Sequence, residues 1–356
     1  MSDRDLKKLL RQDVQSMHAY AIQPSHGMVK LDAMENPHRL PAALQAELGQ
    51  RLSGLALNRY PGERINDLRR ALAEYAGMPE GFEIMLGNGS DELISLVAMA
   101  CDVPGACILA PEPGFVMYAM SAQLQGLKFA GVPLTKNLEL DEAAMLSAIA
   151  RHKPSVIYIA YPNNPTANLW DDDVIGRIID AAPGLVVIDE AYQPFSSRSW
   201  GDRIARYPNV LLMRTLSKFG LAGVRIGYLI GPKAVVSEID KLRPPYNISV
   251  LNCECALFAL EHQDVFAAQA KAVREERAGL QRALAALPAV QSWPSDANMI
   301  LMRVPDAQKT FEGMKSRGVL VKNVSKMHPL LANCLRVTVG TADENAQMLA
   351  ALQASL

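Results

Sequence analysis

The feature that most constrains this chain is a succession of short segments that are apolar throughout. They lie at 84–86, 107–110, 156–160, 185–188, 210–213 and 226–230, and each is bounded by turn or charged residues. A strand with one wet face alternates apolar and polar residues. A strand without alternation has to be covered on both faces, which is the situation of a mostly parallel sheet between helices. Helical patterns lie between some of these runs, at 141–152 and 171–181. Another, at 64–75, spaces Ile65, Leu68, Leu72 and Tyr75 at helical intervals and ends at Gly77, a residue suited to a helix C-terminus. The expected class is α/β, a large domain with a mostly parallel sheet flanked by helices.

The texture changes after Pro244-Pro245. A long helical stretch at 264–287 is followed by a strand at 299–304, a helix at 307–317, two further strands and a last helix from Asp343. That pattern predicts a smaller α+β C-terminal domain. With 356 residues, about two domains are expected: an N-terminal arm over 1–30, a large domain over 31–245 and a small domain over 246–356, against which the arm packs. Hydrophobic residues make up 49%, enough for a large core, and the net charge of -1 lacks the basic surplus of a nucleic-acid binder. No apolar stretch approaches the roughly 18–20 residues that cross a bilayer, and the charged N-terminus has no signal-like apolar core. The five cysteines are expected to be reduced, which points to the cytoplasm, and the histidines have no metal-binding spacing.

Four clusters carry chemistry. In Thr215-Leu216-Ser217-Lys218-Phe219-Gly220-Leu221-Ala222-Gly223-Val224-Arg225, a lysine sits in an otherwise apolar segment after a strand. Desolvation lowers an amine's pKa and makes it nucleophilic, as an imine with an aldehyde cofactor requires. The hydroxyls at 215 and 217 and the Arg225 guanidinium suit a phosphate dianion. In Asp189-Glu190-Ala191-Tyr192 a carboxylate ends a buried strand, where α/β folds bind ligands; Asp189 could pair with a protonated pyridine nitrogen and Tyr192 could donate to a ring oxygen. Asn163-Asn164-Pro165-Thr166 again follows a strand. Gly87-Asn88-Gly89-Ser90-Asp91-Glu92 is a glycine-rich turn opening a helix. Its free N–H groups suit phosphate, although Ser90 could equally be a simple helix cap.

In this order the clusters resemble the fold-type I aminotransferases that use pyridoxal 5′-phosphate, over essentially the whole chain. Glu112-Pro113-Gly114-Phe115-Val116-Met117-Tyr118 is among the shared segments, and Asn58-Arg59-Tyr60-Pro61, Gly89-Ser90-Asp91-Glu92 and Leu335-Arg336-Val337-Thr338-Val339-Gly340-Thr341 narrow the resemblance to the histidinol-phosphate aminotransferases. The resemblance implies that Lys218 holds the cofactor as an imine, Asp189 pairs with its ring nitrogen, Tyr192 and Asn164 bond its phenolic oxygen, and Phe115 stacks on its ring. It also implies phosphate ligands in Ser90, Asp91, Ser217 and Arg225. Tyr60 would reach the cofactor of a neighbouring subunit, making a homodimer the working unit. Substrate would meet Arg336, Asn36, Lys322 and Tyr20. Three departures stand out: the Lys218–Arg225 loop is one residue shorter than in many relatives, Lys322 stands where relatives often carry arginine, and Phe115 stands where some carry tyrosine. The implied reaction converts L-histidinol phosphate and 2-oxoglutarate to imidazole-acetol phosphate and L-glutamate. Aromatic amino-acid aminotransferases and an L-threonine-O-3-phosphate decarboxylase share the same constellation and are the alternatives. A regulator built on this fold would carry an additional basic DNA-binding domain.

Overall fold

The computed structural model describes residues 6–17 and 23–356. In chain order its strands are β1 (Val29–Lys30), β2 (Phe82–Gly87), β3 (Cys107–Glu112), β4 (Lys128–Pro133), β5 (Val156–Ala160), β6 (Leu185–Asp189), β7 (Val210–Thr215), β8 (Gly227–Pro232), β9 (Gln291–Ser292), β10 (Met299–Arg303), β11 (Val319–Leu320), β12 (Lys322–Asn323) and β13 (Cys334–Thr338). Among the described residues, seven strands form one sheet in the order β2-β8-β7-β6-β5-β3-β4. The pairs from β7 through β4 are parallel, and β8 is antiparallel to both β7 and β2.

The absence of alternation has the expected cause. Side chains of successive strand residues point to opposite faces, and here both faces are core. Ile157, Ile159, Val186, Ile188, Val210 and Leu212 enter one apolar cluster. Val156, Tyr158, Val187, Leu211 and Met213 enter another. The first is closed by Leu68 and Leu72 of helix Arg64–Ala76, Met145 and Ile149 of helix Glu142–His152, and Ile175, Ile178 and Ile179 of helix Asp172–Ala181. The second is closed by Leu93, Ile94, Leu96 and Val97 of helix Ser90–Ala100 and by Tyr118 and Ala122 of helix Met117–Gln125. Helix Arg64–Ala76 ends as the sequence suggests, with Gly77 at φ 65°.

A second, antiparallel sheet has the order β12-β13-β10-β9. It shares a separate apolar core with the helices Gln263–Ala285, Ala307–Ser316 and Ala342–Gln353. Helix Val250–Glu261, although it lies beyond Pro244-Pro245, buries Cys253, Ala256 and Leu257 in the core of the large sheet. The strand β1 pairs in parallel with β11. Residues 31–36 then run between the two sheets. The Thr338 N–H donates to the Leu31 carbonyl (2.9 Å), the Met34 N–H donates to the Thr338 hydroxyl (2.9 Å), and the Asn298 amide donates to the Met34 carbonyl (3.0 Å). The second sheet thereby holds residues 31–36 across the C-terminal edge of the first.

Candidate active site

Parallel strands deliver the residues that follow them to one edge of the sheet. Phe115 follows β3, Asn164 follows β5, Asp189 ends β6 and Ser217-Lys218 follow β7. Helix Ser90–Ala100 starts just past β2, at the same edge. There they line a cavity of about 350 Å³, together with Ala33, Met34, Tyr118, Tyr192 and Arg225. A larger, shallower depression of about 780 Å³ lies at the opposite strand ends, near Ser155, Leu185 and Asn209. It has none of these groups.

On one wall, Asp189 is buried. The Tyr118 hydroxyl donates to its Oδ2 (2.7 Å) and the Ala191 N–H to its Oδ1 (3.0 Å). Burial raises its pKa from 3.8 to about 6, and the two hydrogen bonds oppose that rise without cancelling it. On the other wall, the Lys218 amine donates to the Ala33 carbonyl (3.0 Å). Burial, followed by the nearby Arg336 cation, lowers its pKa to about 8. Burial likewise pushes the Tyr192 phenol upward, against the opposing influences of Arg336 and of a hydrogen bond with Asn164. Arg336, on β13, reaches into this edge: its Nη1 donates to Asn164 Oδ1 and its Nη2 to the Asp32 carbonyl, both at 2.7 Å. With its Oδ1 engaged in this way, Asn164 meets Tyr192 through its amide N–H side.

The mouth of the cavity forms a cradle. Gly89, at φ 83°, precedes the first helical residue, and no side chain caps this helix. Ser90 is therefore not the cap, and the N-terminal N–H groups remain open to a ligand. Arg225 stands above them at φ 58°, with its Nη2 3.4 Å from Asp91 Oδ2. A Cβ on Gly89 would collide with the Arg225 guanidinium, and a Cβ on Gly227 would lie 2.7 Å from the Ser90 nitrogen. Both glycines keep backbone and guanidinium close. We expect Gly89→Ala to introduce strain of about 1–3 kcal/mol and to weaken phosphate-ester binding at least tenfold. Equilibrium binding of pyridoxal phosphate to the variant checks this; wild-type affinity would contradict it.

Asn36, Lys322 and Tyr60 are not part of the cavity's lining. Asn36 does not line the cavity: its amide donates to Gln269 Oε1 (3.0 Å) and to the Phe219 carbonyl (3.3 Å). Lys322 on β12 is the register partner of Arg336 on β13. Tyr60 is 73% exposed, away from this chain's own cavity, and stacks on Tyr246 at 4.1 Å. Its loop is anchored at both ends, because Arg51 and Arg64 both bind the buried Glu254 carboxylate. Tyr20 lies outside the described residues. Three groups at the site have no role in the sequence reading: Tyr118, the Ala33 carbonyl and the Ala191 N–H. The first is a tyrosine inside a helix, and the other two are backbone groups with no signature in the sequence.

An amine of lowered pKa, a buried carboxylate, an aromatic side chain on the wall and a phosphate cradle at the mouth form a donor set that fits a phosphorylated pyridine aldehyde. The comparisons with known proteins agree. A family model described as aminotransferase class I and II matches residues 26–352. The histidinol-phosphate aminotransferase of Polaromonas naphthalenivorans is 76% identical over 99% of this chain and 98% of its own length. That of Methylibium petroleiphilum is 70% identical over 99% and 95%. The solved structure of the histidinol-phosphate aminotransferase from Sinorhizobium meliloti, in complex with pyridoxal-5′-phosphate, shares the fold at a TM-score of 0.84 and 23% identity, covering 96% of each chain. With its fold, its site and these likenesses in agreement, the chain belongs to the aminotransferase class I and II family, among the histidinol-phosphate aminotransferases, and its cofactor is pyridoxal 5′-phosphate.

Proposed function

We propose that this protein transfers the amino group of L-histidinol phosphate to 2-oxoglutarate, giving imidazole-acetol phosphate and L-glutamate, as a step of histidine biosynthesis. The observation that carries the substrate class is the pairing of Arg336 with Lys322 in register on adjacent strands, while Arg336 is anchored through Asn164 at the cavity. Register partners on an antiparallel pair project to the same face. Two cations there suit an anionic substrate group, the phosphate in one half of the reaction and a carboxylate in the other.

The cofactor, when bound, supplies an aldehyde for the amino group and a pyridinium ring that accepts electrons. The chain's residues do the rest. Lys218 would hold the cofactor through its amine and would move the proton at the substrate carbon that bears the amino group. The lowered pKa of about 8 suits that proton transfer near neutral pH. Asp189 would pair with the ring nitrogen and keep it protonated. Tyr192 and Asn164 bond the ring oxygen, Phe115 covers the ring face, and Ser90, Asp91, Ser217 and Arg225 hold the phosphate, the first two through their N–H groups. Tyr60, exposed and stacked on Tyr246, reaches the cofactor phosphate of a second copy in a homodimer. Among the described residues no helix is long and apolar enough to cross a membrane. The five cysteines are free thiols, which supports a reducing cytoplasm.

Steady-state assays with 2-oxoglutarate as acceptor test the substrate. We expect kcat/KM for L-histidinol phosphate to exceed that for L-phenylalanine by at least about 10-fold, the lower end of a charge-assisted contact's worth of about 1.5–3 kcal/mol. Equal values would point to an aromatic aminotransferase, and carbon dioxide release from L-threonine-O-3-phosphate would point to a decarboxylase.

A further inference from the structure

Tyr118 is a buried, titratable group that the reaction just described leaves without a part. It is the second residue of helix Met117–Gln125 and is 2% exposed. Three contacts fix it. Its hydroxyl donates to Asp189 Oδ2 at 2.7 Å. Its ring stacks on Tyr158 at 4.4 Å, with 7° between the planes. Phe115 meets it edge-on at 5.6 Å and 85°. Tyr158 is itself tethered, its hydroxyl donating to the Ile94 carbonyl at 3.3 Å. Tyr118 thus touches both the carboxylate that faces the ring nitrogen and the aromatic group that covers the ring, and its own ring is braced from behind.

We propose that Tyr118 is a positioning residue for amino transfer: it holds the Asp189 carboxylate ionised and aimed at the cofactor ring nitrogen, and it sets the Phe115 ring against the ring face. The proposal rests on the reading of this cavity as the pyridoxal phosphate site.

The chemistry follows from the direction of the hydrogen bond. A donor to a carboxylate stabilises its charged form. Tyr118 can only donate here, because an ionised carboxylate has no proton to offer. The other groups that face Asp189 do not replace it. Asp91, on helix Ser90–Ala100, and the neighbouring Glu190 both push its pKa upward. Glu190 is committed to Arg214, at 2.8 Å, and to the Ser199 hydroxyl. Tyr158 donates to a backbone carbonyl, and Tyr192 is engaged with Asn164. The Ala191 N–H holds Oδ1. Oδ2 therefore loses its protein donor when the Tyr118 hydroxyl is removed, and a vacant donor position next to a buried carboxylate raises its proton affinity.

The test compares wild type, Tyr118→Phe and Tyr118→Leu, each prepared as apoprotein and reloaded. The first readout is the equilibrium affinity for pyridoxal phosphate from pH 5 to 8, followed by quenching of protein fluorescence. In wild type the affinity should fall as Asp189 is protonated. In Tyr118→Phe the midpoint of that fall should move upward by about half to one pH unit, the equivalent of one hydrogen bond. The second readout is turnover: kcat should drop about tenfold in Tyr118→Phe with the KM for L-histidinol phosphate unchanged. Tyr118→Leu, which also removes the Phe115 contact, should lose more. An unmoved midpoint with unchanged kcat in a folded Tyr118→Phe would overturn the proposal, as would equal losses in the two variants together with an unmoved midpoint. Failure of wild type itself to bind pyridoxal phosphate would instead defeat the reading of the site on which the proposal rests.

Discussion

Replacing Lys218 with alanine is expected to lower amino transfer by at least about 10,000-fold, while pyridoxal phosphate still binds. In the proposed mechanism the lysine has two jobs, holding the cofactor and moving the proton at the substrate carbon. Acid–base catalysis alone contributes on the order of 100- to 10,000-fold, and the covalent route adds to it. Lys322, the register partner of Arg336, belongs to a strand of the second sheet and is not among the residues lining the cavity. Cofactor retention is expected because the cradle at Ser90, Ser217 and Arg225 and the wall at Phe115 do not depend on the amine. Steady-state rates and cofactor content after dialysis check both halves. Turnover within tenfold of wild type would remove Lys218 from the mechanism.

Replacing Asp189 with asparagine should cost about 150- to 5,000-fold in kcat. Breaking one partner of a buried charge pair is worth about 3–5 kcal/mol, and each tenfold in rate is about 1.4 kcal/mol. The same substitution should have the opposite sign on the apoprotein. Burial raises the Asp189 pKa from 3.8 to about 6, so the folded apoprotein holds this proton more tightly than the unfolded chain does. A group whose folded pKa is raised contributes stability below its unfolded pKa and loses it as pH rises through the folded value. Wild-type apoprotein should therefore lose stability, relative to Asp189→Asn, as pH rises from about 4 through about 6. Thermal unfolding of both apoproteins across that window measures the difference. Parallel curves would mean that burial does not outweigh the two hydrogen bonds on the Asp189 carboxylate before cofactor binds.

Most of the large sheet was legible because its strands are covered on both faces, as with Val156–Ala160 and Val210–Thr215. The edge strand Lys128–Pro133 was not, because Val132 is its only buried residue and its composition reads as a loop. Helix Ala42–Ser53 was also hidden, since none of its residues is buried. At the site, Asp189, Lys218 and Asn164 could be read because a polar residue at the end of an apolar run is conspicuous. Tyr118 could not be read, because its partner Asp189 lies 71 residues away and an aromatic side chain in a helix looks like core. The position of Asn36 depended on a contact with Gln269, 233 residues distant, which no local pattern encodes.

The account is tested most directly by a half-reaction followed in absorbance. Protein loaded with pyridoxal phosphate is mixed with L-histidinol phosphate alone, with no keto acid present. We expect one amino group transferred per chain, seen as conversion of the bound cofactor to its pyridoxamine form, with L-phenylalanine much slower. A bound cofactor that stays unchanged in the presence of L-histidinol phosphate would contradict the proposed function.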